Sequence, residues 1–102
     1  MEGTVITMPA VALRGLTVFP AMMIHFDINR KRSVAAVEKA MVSDQKVFLV
    51  TQRQPEVVEP GLPDLYQVGT IALVKQMVKL PGGNIRVMVE GLKRAELLDL
   101  DS

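Results

Sequence analysis

Cysteine is missing altogether from this chain of 102 residues. That absence removes disulfides, thiolate zinc sites and a cysteine nucleophile from consideration. Histidine occurs once, at His25, which excludes a multi-histidine metal site as well. Tryptophan is absent and aromatics make up only 4% of the chain, so a core has to be built from aliphatic residues and the seven methionines. Neither charge sign dominates: 12 Lys+Arg face 11 Asp+Glu, for a net charge of +1. That balance gives no general electrostatic claim on nucleic acid or an anionic membrane. No apolar run approaches the roughly 18 residues of a membrane span. The first four residues, Met1 to Thr4, supply neither the basic region nor the apolar stretch of a signal peptide. The expectation is a cytoplasmic protein without membrane contact. What remains is an ordinary globular composition, 49% hydrophobic and 23% charged, which argues for a folded chain over a disordered one. Its length suits a single domain over 1–102.

The hydrophobic pattern divides the chain into short elements. Pro9 interrupts the apolar stretch from Val5 to Leu13, so a strand there lies at an edge or begins after the proline. Met22, Ile24, Phe26 and Ile28 share one parity, the period of a half-buried strand, and His25 and Asp27 point the other way. The period then becomes helical from Arg30 to Met41, with Val34, Val37 and Met41 on one stripe and Asn29 as the expected N-cap. Lys46 to Gln52 is a nearly unbroken apolar run, the mark of a central strand. Pro55, Pro60, Gly61 and Pro63 make Gln54 to Asp64 a surface loop, and its stretch from Pro55 to Pro63 is the next candidate binding surface after the C-terminal hairpin. Tyr66 to Leu80 predicts a long strand bent at Gly69, and Pro81-Gly82-Gly83-Asn84 a hairpin turn with two central glycines at positive φ. Ile85 to Glu90 alternates, Gly91 breaks the run, and Ala95 to Leu100 predicts a last strand. The sum is a mainly β domain of about six strands and one α-helix, a small half-open barrel.

Catalytic patterns are lacking. Gly82-Gly83 is followed by no Lys and no helix, so it is no phosphate loop. The serines Ser33, Ser43 and Ser102 have no evident histidine partner, and His25 reads as a strand-surface residue. The basic run Arg30-Lys31-Arg32 reads as a solvated helix start, because the aromatics that stack on bases are scarce.

Five segments, taken in order, resemble the N-terminal domain of bacterial Lon, the ATP-dependent protease La. Pro9 to Pro20 is similar to the family's "PLLPLRGLVVFP", Asn29 to Val34 to "GREKSI", and Phe48 to Gln52 to "FLVAQ". Asp64 to Thr70 is similar to "DLYEVGT", and Leu80 to Ala95 to "LPDGTVKVLVEGLKRA". Asn29 and Gly82 depart from the family's Gly and Asp. The resemblance implies a PUA-like twisted barrel. It also implies a module that selects unfolded or damaged proteins and assists assembly of a homo-hexamer. In such proteases ATP and Mg serve an ATPase domain, and a Ser-Lys dyad in a further domain cuts the substrate. The corresponding segments are not in these 102 residues, so none of them is assigned a catalytic or cofactor role. Two other classes stay open: a nucleic-acid-binding PUA-like module and a purely structural oligomerisation domain.

A substrate surface is expected on the hairpin. With Gly82-Gly83 as a two-residue turn, Leu80 faces Ile85 and Val78 faces Val87 on the inner side. The outer side then pairs Lys79 with Arg86, Met77 with Met88, and Lys75 with Glu90. Met77 and Met88 form an adaptable apolar patch there, unless the loop around Phe19 and Pro20 covers them. Leu80, Pro20 and Met22 extend the patch, and Lys75, Lys79 and Arg86 give it a basic rim. Leu97, Leu98 and Leu100 on the last strand predict weak self-association through an apolar edge.

Overall fold

The computed structural model describes residues 6–57 and 60–100. The segment Met1 to Thr4, read for a signal peptide, and Ser102 lie outside the described residues. Five strands and one helix follow in the order β1 (Ala10–Leu13), β2 (Met23–Ile28), α1 (Lys31–Met41), β3 (Lys46–Thr51), β4 (Val68–Lys79) and β5 (Ile85–Glu96). They form a single sheet ordered β1-β3-β4-β5-β2, in which only β1 and β3 run parallel. The mainly β architecture with one helix stands as the pattern predicts. The strand count falls from six to five, because β5 continues through Gly91 to Glu96 and no strand follows among the described residues. The sheet is open, with β1 and β2 as its two edges.

Sheet and helix enclose two apolar clusters on opposite faces. The main one gathers Val11, Val37, Val47, Leu49, Val74 and Val87, among others, beneath α1. The second holds Phe48, Val50, Leu65 and Ile71 on the other face. Neighbouring residues of β3 therefore serve different clusters, which is why its apolar run is unbroken. Helix α1 lies against β1, β3 and β4. Val37 is buried, Val34 and Met41 pack at the cluster's margin, and Ser33 and Ala40 complete the buried stripe. Asn29 is not the cap: the helix begins at Lys31, and Arg30 occupies the N-cap position in extended conformation without a capping side-chain bond. The Arg30 guanidinium instead reaches back to β1, where Nη2 donates to the Ala12 carbonyl at 2.6 Å. That contact removes one member of the basic run from open solvent.

The β4–β5 ribbon sets the geometry of everything that follows. Pro81–Gly83 forms one short helical turn, with Gly82 at φ 82° and Gly83 at φ 84°, values that favour glycine. The Leu80 N–H closes it on the Asn84 carbonyl at 2.8 Å. The turn is thus longer than two residues, and Lys79, not Leu80, faces Ile85. The expected register is wrong by one residue, which moves side chains to the opposite face of the sheet. Two irregularities follow along the ribbon, an extra residue at Lys75 on β4 and another at Leu92 on β5.

Candidate functional site

On β5 the residues Ile85, Val87 and Val89 are buried and point into the main cluster. Arg86, Met88 and Glu90 must then point to the opposite face. Their partners on β2 are Asp27, His25 and Met23, and on β4 they are Val78, Gln76 and Leu73. Helix α1 covers the other side of the sheet, so these nine positions make up a face that no helix covers.

That face is mixed in a definite way. Met88 lies half-buried at its centre, between His25 and Gln76. Met23, 60% exposed, and Val78, 42% exposed, stand to either side. Two cross-strand ion pairs border the methionine. Arg86 donates to Asp27 through Nε at 2.9 Å and Nη2 at 3.3 Å, a bidentate contact. Lys75 Nζ lies 3.6 Å from Glu90 Oε1. The bond from Arg86 holds the Asp27 carboxyl below the usual carboxylate range, and the same bond pushes the Arg86 guanidinium up. These charges neutralise each other, so the rim carries alternating signs instead of the expected basic border.

The residues picked out from sequence are therefore split. Met77 pairs with Val87 and packs on the main cluster, so it does not share a face with Met88. The correction follows directly from the longer turn. Lys79 pairs with Ile85, on the opposite face from Arg86. Leu80 is half-buried at the turn itself. Met22 packs on the main cluster, and its sulfur accepts the Phe19 N–H at 3.2 Å. Met88, Lys75 and Arg86 remain on the uncovered face, and Met23 and Val78 join them.

The loop around Phe19 and Pro20 crosses β5 at Gly91. The Ala21 N–H donates to the Gly91 carbonyl, and the Gly91 N–H to the Met22 carbonyl, both at 2.8 Å. A Cβ on residue 91 would run into the Phe19 carbonyl, so the glycine marks a close approach and not a break. The Arg94 guanidinium lies over the Phe19 ring, 5.0 Å from its centroid.

A second apolar surface forms where the proline-rich loop, the fallback candidate from the sequence, meets the C-terminal leucines. Leu62, Leu65, Tyr66, Leu97 and Leu98 line a groove of about 280 Å³, with Arg53 over the Tyr66 ring. Leu97 and Leu100 pack on the second cluster, so the expected apolar strand edge at the C-terminal segment does not form. The sequence marks its two halves separately, the proline-rich loop with Leu62 and the leucines Leu97 and Leu98, and only the fold brings them together.

Gly82 and Gly83 sit in an exposed turn that leads into a strand, so they do not fit a nucleotide phosphate. Among the described residues no three His, Asp or Glu side chains gather as a metal ion would need.

Comparison with known proteins gives likenesses of sequence and of fold. The family model described as the ATP-dependent protease La (LON) substrate-binding domain matches residues 7–102. The chain is 52% identical over 96 residues to the Lon protease of Heliobacterium modesticaldum, covering 94% of this chain and 12% of that protein. It is 49% identical over 92 residues to Lon protease 1 of Bacillus subtilis, covering 90% of this chain and again 12% of the relative. Among solved structures, the N-terminal domain of a Mycobacterium avium complex Lon protease has a TM-score of 0.67 at 20% identity. That match covers 87% of this chain and 44% of the other, and it is a likeness of fold.

Proposed function

Because the chain belongs to the family of ATP-dependent protease La (Lon) substrate-binding domains, we propose that it recruits unfolded or damaged polypeptide for an ATP-dependent serine protease. The observation that carries this reading is the uncovered face of β2, β5 and β4, with Met88, Met23 and Val78 set among paired charges. Unfolded chains have little in common except exposed apolar side chains and free backbone. Unbranched, polarizable methionine fits many such partners, where a shaped pocket fits one. The alternating rim keeps this surface soluble and adds no preference for chains of either charge.

The curated relatives are about eight times longer than the stretch they share with this chain, which covers 12% of each. We place ATP and Mg binding and cleavage by a serine nucleophile in those other parts of such a protease, working in the cytoplasm, with this module assisting assembly of the homo-hexamer. A nucleic-acid role finds less support, since Arg30 is tied to the Ala12 carbonyl and Arg86 to Asp27.

The test is the double substitution Met23→Glu, Met88→Glu, with folding checked by circular dichroism. Binding to reduced, carboxymethylated lactalbumin should fall at least about tenfold, as expected when an apolar contact is replaced by two carboxylates. Unchanged binding by the folded variant would show that this face is not the site. The groove at Leu62, Tyr66 and Leu98 would then be the next candidate.

A further inference from the structure

We infer that the outer edge of β2 takes an extended segment of unfolded polypeptide as an added strand, an inference that rests on the recruitment role proposed above. The backbone supplies the reason. The Gly91 N–H donates to the Met22 carbonyl at 2.8 Å, and β2 then runs in unbroken antiparallel register from Met23 opposite Glu90 to Ile28 opposite Ile85. Bonded pairs alternate along such a ladder. Ile24, Phe26 and Ile28 therefore spend their N–H and C=O groups on β5, and Met23, His25 and Asp27 aim theirs outward. These outward groups recur about every 6.8 Å, the two-residue repeat of a strand. Among the described residues no group hydrogen-bonds to them.

The two sheet edges are treated differently. β1 has four residues, follows Pro9, and its outward Ala12 carbonyl is taken by Arg30 at 2.6 Å. β2 has six residues and none of the usual guards: no proline, no lysine and no bulge between Met23 and Ile28. Its one carboxylate, Asp27, is drawn across the strand to Arg86 and does not stand against an incoming chain. Half-buried Ile24 and Phe26 give the edge an apolar flank on the core side. Met23 joins it on the other side to the face around Met88, so an added strand would extend the proposed substrate surface without a gap.

The chemistry of this edge selects for unfolded chains. Backbone N–H and C=O groups are already paired in a folded protein and are available in an unfolded one. Bonds to backbone also tolerate any side-chain sequence, and the flanks favour segments with apolar residues at alternate positions.

The experiment combines amide exchange with one substitution. The probe is a ten-residue peptide alternating valine and threonine, with a lysine at each end. Exchange at Met23, His25 and Asp27 is followed in the wild-type chain with and without the peptide. His25→Pro removes an outward N–H and no bond to β5, so the ladder survives. Retained protection of the Val87 and Val89 amides reports that it does. Slowed exchange at the three outward amides, with affinity reduced roughly tenfold by His25→Pro and unchanged by His25→Ala, is the expected result. Peptide binding that leaves those amides unprotected overturns the inference and leaves the recruitment role intact. Failure of the wild-type chain to bind either this peptide or carboxymethylated lactalbumin overturns both. Protection that rises with protein concentration alone would mean that a second copy takes the edge, and that also overturns the inference.

Discussion

Met77 and Met88 lie on the same hairpin, and the turn between them sends them to opposite faces. Glutamate at each position turns that difference into a number. Met77 is half-buried against the main cluster, and its cross-strand partner Val87 is 0% exposed. A carboxylate there loses apolar contact and has to be desolvated or pulled out of the cluster, at a cost of roughly 2–4 kcal/mol. Met88 faces His25 and Gln76 on the uncovered side. Substitution there stays within about 0.5 kcal/mol, the range of ordinary surface changes. For a domain near this size, one kcal/mol moves the melting temperature by roughly 4–8 °C. Met77→Glu should therefore melt on the order of 10–25 °C lower, and Met88→Glu within a few degrees of the parent. Thermal unfolding followed by circular dichroism reads both. Equal and small shifts would mean that the two methionines share an exposed face. The two-residue turn would then be right, and the pairing of Lys79 with Ile85 wrong.

Three further outcomes follow from other parts of the fold. Val37→Asp puts an unpaired charge at a helix position that is 1% exposed, and should cost several kcal/mol, on the order of 3–5, in urea unfolding. Gly91→Ala drives a Cβ against the Phe19 carbonyl, so the crossing segment has to move; roughly 2 kcal/mol of stability should go, and an unchanged urea midpoint would refute the close approach. The Asp27 carboxyl is held below its ordinary value of 3.8 by Arg86, so its contribution is present above that pH and is lost as pH falls through the folded-state value. Asp27→Asn should remove that part of the acid dependence and leave the profile above about pH 5 parallel to the parent's. A variant with the parent's full acid slope would refute the assignment.

The periodic elements were legible in the sequence because burial wrote them there. The parity of Ile24, Phe26 and Ile28 on β2, the stripe around Val37 on α1 and the unbroken run on β3 each follow from which face meets a cluster. The positive φ at Gly82 and Gly83 was equally readable, since both turn geometries need it. The number of turn residues was not. A glycine pair suits a two-residue turn and also the end of a longer one, and Pro81 is compatible with the first position of either a turn or a strand end. That single ambiguity displaced Met77 from the candidate site. Gly91 misled for a related reason: alone, a glycine reads as an interruption, and only the crossing of Phe19 and Pro20 shows that β5 runs through it. Asn29 is the better capping residue, but Arg30 gains a bond to the Ala12 carbonyl by occupying the cap position, a contact between residues 18 apart in the chain. The groove at Leu62 and Leu98 depends on a meeting of distant segments and has no local pattern.

The face carrying Met88 and Met23 is the surface proposed to meet the unfolded chain. The methionines themselves report on it most directly. With 13C-methyl-labelled methionine, all seven methyl groups can be followed in one spectrum as carboxymethylated lactalbumin is added. The Met88 and Met23 signals should shift or broaden together. Met41 and Met77, packed on the main cluster, should hold their positions. Movement confined to Met41 and Met77, or to Met8 beside the second cluster, with Met23 and Met88 unchanged, would contradict the proposal.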